Sequence, residues 1–164
     1  MLKLKGVFSA LVTPFNADGS VDYGALRALI QWQIAEGVAG VSPVGTTGES
    51  PTLNPTDHLK VIEATVDAVD GKAKIIAGTG ANSTEEAIHL TKEIVGIGVD
   101  ATLQVTPYYN KPNAEGLYRH FAAVADLGVP VVLYNVPGRS AKEIPLEVVA
   151  RLAKHPNVCA VKEA

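Results

Sequence analysis

The sequence predicts an α/β fold built on a parallel sheet, and three observations predict it. Six short runs of apolar, largely β-branched residues recur along the chain. They are apolar at successive positions and do not alternate with polar residues, which is how strands buried on both faces read. Amphipathic segments with helix punctuation separate them, and strand starts lie roughly 30 residues apart, the size of one βα unit.

The strands are expected over residues 7–12, 38–44, 73–77, 101–106, 129–134 and 158–161. The first helix runs from about Tyr23 to Glu36 and places Leu26, Leu29, Ile30 and Ile34 on one face, with Gly37 as the residue that ends it. The second opens with Asn54 as N-cap and Pro55 at the first helical position, and its apolar face is Leu59, Ile62, Val66 and Val69. The third begins Ser83-Thr84-Glu85-Glu86, a capping box in which Ser83 and Glu86 satisfy each other's backbone donors. The fourth starts near Asn113 and buries Leu117, Phe121 and Val124. The fifth starts near Pro145, buries Val148, Val149 and Leu152, and stops before Pro156. The order is βα five times and then a sixth strand. Both a doubly wound sheet and a (β/α)₈ barrel are built this way. A barrel needs eight strands and typically about 250 residues, so the pattern alone leans toward the open sheet.

Composition bounds the function. Of 164 residues, 47% are hydrophobic and 19% charged, enough apolar material for a buried core in one domain. A net charge of -3 offers no electrostatic footprint for nucleic acid or an anionic membrane. The single cysteine, Cys159, excludes an internal disulfide and a cysteine-based zinc cluster, and reads as a core residue. No apolar run approaches the ~18 residues that span a bilayer, and the apolar stretch after Lys5 reads as a strand, not a leader. A cytoplasmic protein is expected. His58, His89, His120 and His155 fall on helices or at helix ends without metal-ligand spacing, so no metal site is expected. Gly78-Thr79-Gly80-Ala81-Asn82-Ser83 superficially resembles a dinucleotide fingerprint. Ser83 stands where the last glycine belongs, and the preceding strand is the third, so no nucleotide cofactor is expected.

Four motifs follow or close strands. Gly45-Thr46-Thr47-Gly48-Glu49 follows the second; its hydroxyls and backbone N–H groups can hold a carboxylate, or merely bond their own loop. Thr106-Pro107-Tyr108-Tyr109-Asn110-Lys111-Pro112 follows the fourth, and its adjacent tyrosines must point different ways, one toward its own fold and one toward a neighbour. Tyr134-Asn135-Val136-Pro137-Gly138-Arg139 ends the fifth: a tyrosine able to relay a proton, then an arginine able to clamp a carboxylate, or else an anchored ring and a solvated charge. Lys162 closes the apolar run of the sixth strand, where desolvation favours the neutral, nucleophilic amine; alternatively it reaches solvent at the strand end. All four motifs stand at the carboxyl ends of strands, where active sites sit in parallel α/β folds, and four coincident bland explanations are a poor account of that.

GTTGE, TPYYNKP, YNVPGR and the VKEA ending, with Val12-Thr13-Pro14-Phe15 near the start, together resemble the dihydrodipicolinate synthase and N-acetylneuraminate lyase family of class I aldolases. The resemblance covers the whole chain and implies an incomplete (β/α)₈, TIM-barrel-type fold over residues 1–164: a single partial domain of six strands, cut short after Lys162. It implies a lyase of lysine and diaminopimelate biosynthesis that condenses pyruvate with L-aspartate 4-semialdehyde and needs no cofactor. By the same resemblance Lys162 is the Schiff-base lysine. Thr46 and Thr47 hold the carboxylate of pyruvate, and Tyr134 is the proton donor and acceptor. Thr46 and Tyr109 complete its relay, with Tyr109 reaching in from a neighbouring subunit, and Arg139 binds the semialdehyde carboxylate. Ser50, His58, Asn82, Glu86 and Tyr108 match a site where lysine inhibits some members; Pro55 stands where lysine-sensitive members often carry histidine. A homotetramer is the family's usual assembly.

The family continues through two more barrel strands, whereas the sequence stops at Ala164. Little synthase activity is therefore expected of the 164 residues alone. Two further readings stay open: a sister aldolase acting with a sugar-derived aldehyde, and a catalytically silent partial barrel.

Overall fold

The computed structural model describes residues 2–164. Six strands are present: β1 (Phe8–Ala10), β2 (Gly40–Ser42), β3 (Lys74–Gly78), β4 (Ala101–Val105), β5 (Val131–Asn135) and β6 (Val158–Glu163). The helices are α1 (Tyr23–Ala35), α2 (Pro55–Val69), α3 (Thr84–Glu93), α4 (Ala114–Ala125), α5 (Pro137–Ser140) and α6 (Leu146–Leu152), with a 3₁₀ turn at Ser50–Thr52. The chain divides into two compact units. One comprises residues 5–78 and 96–99, the other residues 2–4, 79–95 and 100–164.

In the first unit β2 lies between β1 and β3, and both pairings are parallel. Asp22 caps α1 by accepting from the Ala25 amide at 2.9 Å, and Gly37 takes φ 91° just beyond the helix, the conformation glycine was expected to supply. Asn54 caps α2 through the Asp57 amide, with Pro55 at the first helical position. The buried face of α2 differs from expectation. His58, Val61, Ile62, Thr65, Ala68 and Val69 are buried, while Leu59 and Val66 are only half-buried. The face turns toward His58 and Thr65 because both polar side chains find partners inside: His58 Nε2 lies 2.7 Å from the Gly78 carbonyl, and the Thr65 hydroxyl donates to Val61 O at 2.7 Å. Burial of a polar group that keeps its hydrogen bond costs little.

In the second unit β5 lies between β4 and β6, again all parallel. Leu117, Phe121 and Val124 on α4 pack with Val131 and Leu133 of β5 and with Val148 and Leu152 of α6. Ser83 caps α3 by accepting from the Glu86 amide at 3.3 Å. The β5–β6 register slips by one residue between Val131 and Val132: Val131 is opposite Val158, but Val132 is opposite Ala160. The extra residue, Cys159, forms a bulge. From there the pairing is regular and sets Tyr134 beside Lys162 and Asn135 beside Glu163.

Candidate active site

In the first unit, the loop after β2 is a tight helical turn. Val44 (φ 46°) and Glu49 (φ 60°) are both left-handed, a conformation uncommon for valine above all. Gly48 N donates to Gly45 O at 3.0 Å, Glu49 N to Thr46 O at 3.1 Å, and the buried Thr13 hydroxyl grips Gly48 O at 2.7 Å. Among the described residues neither the hydroxyls nor the amides of Thr46 and Thr47 donate to any protein acceptor. These are the groups a carboxylate needs, and the loop does not consume them itself. Ser50 opens the following 3₁₀ turn, and His58 is buried on α2.

Gly78 and Gly80 are required by close backbone approach. A Cβ on Gly78 would lie 2.2 Å from Val44 O, and one on Gly80 would lie 2.4 Å from Val105 N. The glycines of the fingerprint-like stretch are thus taken up by packing within each unit.

In the second unit, Tyr134 and Lys162 are brought together by the β5–β6 register, and Lys162 Nζ stands 4.2 Å from the centroid of the Tyr134 ring. Tyr134 is buried and Lys162 half-buried. The Tyr134 carbonyl accepts from the Thr106 amide and from the Thr106 hydroxyl, both at 3.0 Å, which fixes the strand end against β4. Arg139 lies on α5, a one-turn helix that the sequence reading missed because Pro137-Gly138 reads as a turn; its side chain is exposed. Pro137 instead occupies the first helical position, where its missing N–H costs nothing.

The two tyrosines of the β4 loop diverge as expected. Tyr108 is half-buried, while Tyr109 is 90% exposed at φ 72°. Strain of that kind persists only where the surroundings over-determine it. Asn82 Nδ2 donates to Tyr108 O at 3.2 Å and Asn110 Nδ2 to Asn82 O at 3.0 Å, so the α3 entry and this loop hold each other. Burial first, then the nearby Glu86 carboxylate, push the Tyr108 phenol up. Asn82, Glu86 and Tyr108 are therefore neighbours. Cys159 is half-buried, its thiol donates to Val131 O at 3.3 Å, and burial pushes its titration up, which disfavours the nucleophilic thiolate.

Sequence reasoning missed Asn135. It is buried, its Oδ1 accepts from the Ile144 amide at 3.0 Å, and its Nδ2 donates to Glu163 at 3.0 and 3.1 Å. The available signal was a carboxamide at the last position of an apolar strand. Among the described residues no group of three or more His, Cys, Asp or Glu is placed to hold a metal ion, and no helix is long and apolar enough to cross a membrane.

Comparison with known proteins gives this geometry its context. A family model described as the dihydrodipicolinate synthetase family matches residues 3–164. The 4-hydroxy-tetrahydrodipicolinate synthase of Acidiphilium cryptum is 52% identical over 160 residues, which are 97% of this chain and 55% of that protein. The solved dihydrodipicolinate synthase of Acinetobacter baumannii, chloride-inhibited and complexed with pyruvate, superposes with a TM-score of 0.96 at 46% identity, over 99% of this chain and 56% of that one. The synthase of Cyanidioschyzon merolae, solved with lysine bound, gives 0.93 at 44% identity, over 96% and 54%. The fold is thus that of the partial (β/α)₈ barrel in these enzymes, as the strand-end motifs and the family resemblance implied against the lean of the strand pattern alone. The chain spans about half the length of the curated relatives it matches.

Proposed function

The chain belongs to the dihydrodipicolinate synthetase family, and from that premise we propose that its activity is the Schiff-base aldol condensation of pyruvate with L-aspartate 4-semialdehyde, the 4-hydroxy-tetrahydrodipicolinate synthase reaction. The observation that carries the reading is the pairing of Lys162 with Tyr134, an amine 4.2 Å from a buried phenol ring at the carboxyl end of adjacent parallel strands.

The Lys162 amine adds to the ketone carbon of pyruvate, and loss of water leaves an imine on Nζ. Tyr134 donates the proton that leaves with the hydroxyl and accepts protons in later steps, with Thr46 and Tyr109 as its relay. The unspent amides and hydroxyls of Thr46 and Thr47 hold the carboxylate and fix the ketone's orientation. Loss of a methyl proton gives the enamine, whose carbon forms the new bond to the aldehyde carbon of the semialdehyde. Arg139 pairs with that substrate's carboxylate through its planar fork. The substrate amine then adds to the imine carbon, closes the ring and releases Lys162. No cofactor enters this chemistry.

Residues 1–164 are in this reading one partial barrel domain, working in the cytoplasm as part of a homo-oligomer to which Tyr109 contributes across subunits. Neither nucleic acid nor membrane is a partner in it. The cluster of Asn82, Glu86 and Tyr108, with Ser50 and His58, is assigned to lysine inhibition, supported by the lysine-bound relative.

Borohydride reduction in the presence of pyruvate, read by intact mass, tests the assignment. The expected result is one stable adduct on Lys162 that disappears in Lys162→Ala. A chain that is folded by circular dichroism yet forms no adduct would overturn this reading for the 164 residues in favour of the catalytically silent partial barrel.

A further inference from the structure

We propose that Asn135 is a positioning residue that couples the Arg139 loop to the strand end carrying Lys162; this rests on the roles given above to Lys162 and Arg139. Asn135 is 5% exposed, and every polar group it owns beyond its strand position is engaged in one of two directions. Its Oδ1 accepts from the Ile144 amide at 3.0 Å. Its Nδ2 donates to both carboxylate oxygens of Glu163, at 3.0 and 3.1 Å, and its own carbonyl accepts from the Ala164 amide at 3.1 Å. Glu163 follows Lys162 directly, and Ile144 closes the loop that Val136 opens.

Residues 136–144 are bonded internally, and Ile144 is also buried in the core beside Leu133. Arg139 N and Ser140 N each donate to Val136 O at 2.9 Å, and the Ser140 hydroxyl lies 3.1 Å from Val136 O and 2.8 Å from Lys142 O. Such a loop is tied to β5 by Val136 at one end and, at the other, by the Asn135–Ile144 hydrogen bond together with the burial of Ile144 beside Leu133. One carboxamide therefore anchors the arginine-bearing loop with its oxygen and the lysine-bearing strand with its nitrogen. An amide is the group that can do both, because the Ile144 amide needs an acceptor and the Glu163 carboxylate needs a donor. Charge-assisted bonds of the second kind are the stronger ones.

The pairing also dictates the test. Asn135→Asp keeps the acceptor for Ile144 and sets a carboxylate against Glu163. Glu163→Gln alone keeps an acceptor for Asn135 Nδ2. In the double variant Asn135→Asp/Glu163→Gln the donor and acceptor are exchanged and the contact returns. Borohydride trapping of pyruvate on Lys162 is followed as rate against pyruvate concentration, so that the maximal rate and the half-saturating concentration separate. Hydrogen exchange of the peptide spanning Ile144 is followed in parallel, and thermal unfolding reports the fold.

Expected is a fall of about tenfold in maximal trapping rate for Asn135→Asp, equivalent to about 1.4 kcal/mol. Faster exchange at Ile144 in Asn135→Ala, near-wild-type trapping in Glu163→Gln, and recovery to within about threefold of wild type in the double variant complete the expectation. A merely structural residue instead predicts that Asn135→Asp lowers the unfolding temperature while its maximal trapping rate, taken where the variant is folded, stays at the wild-type value. Asn135→Asp that traps like wild type, or a folded double variant no better than Asn135→Asp, overturns the proposal. Absence of any adduct in the wild-type chain overturns the proposed function of these 164 residues, and the positioning role with it, while exchange at Ile144 still reports whether the coupling itself exists.

Discussion

Acidification should weaken this fold through His120, and the size follows from its surroundings. His120 is 4% exposed on α4; its Nδ1 lies 2.8 Å from the Thr84 hydroxyl, and its Nε2 has no hydrogen-bond partner among the described residues. The ring stands edge-on to Phe121 with centroids 5.2 Å apart. Burial lowers its titration from 6.5 to about 4. Between those values the unfolded chain binds a proton that the folded chain does not. Stability that is whole above pH 6.5 is therefore lost as the pH falls toward 4, at up to ~1.4 kcal/mol per pH unit. At pH 4.5 the loss amounts to roughly 2 to 3 kcal/mol, a large fraction of the stability of a domain this size. His120→Asn places an amide group where Nδ1 sits and cannot titrate. It costs stability at pH 7 through lost packing against Phe121, yet it should lose roughly 2 to 3 kcal/mol less than the wild type between pH 7 and pH 4.5. Urea unfolding of both proteins at the two pH values measures this, since all other titrating groups are common to them. Equal losses for the two proteins would refute the reasoning.

Other substitutions test other levels of the structure. Gly78→Ala drives a Cβ to 2.2 Å from Val44 O and should cost about 3 kcal/mol or more, whereas Gly138→Ala, with nothing within 4 Å, should leave the urea midpoint nearly unchanged. Asp22→Ala removes the α1 cap and should cost about 1 kcal/mol, which Asp22→Asn should largely retain; equal midpoints for the alanine and asparagine variants would count against the cap. Cys159 should react with iodoacetamide at pH 8 at least about tenfold more slowly than free glutathione, and alkylation as fast as glutathione's would show the thiol to be neither buried nor raised.

Six strands and five of the helices were legible because parallel strands advertise themselves as unbroken apolar runs and helix ends as Asn54-Pro55, Ser83 and Gly37. Strand limits were less so. The runs at residues 7–12 and 38–44 pair only over Phe8–Ala10 and Gly40–Ser42, since apolar character continues into loop residues such as Val44 that are buried without being in a ladder. The face of α2 was misjudged because hydrophobicity gives no credit to a buried histidine or threonine that carries its own acceptor. In the candidate site each motif was visible at its strand end, but the contact between Tyr134 and Lys162 was not. Residues 28 apart in sequence meet through register, and register is decided by strand pairing over the whole ladder. Asn135 was invisible for a related reason: its meaning lies in two partners, Ile144 and Glu163, that only the folded chain supplies.

The bulge at Cys159 sets the reading frame of the β5–β6 ladder. Counted straight from Val131 opposite Val158, Tyr134 would face Val161 and Asn135 would face Lys162. One inserted residue moves the amine to the phenol and the carboxylate to the carboxamide in a single step. No point substitution in β6 can imitate that shift, because it alters phase and not chemistry. Deleting one residue there would keep every functional side chain and misalign all of them, so family members that vary freely in side chains along this strand should still agree in its length.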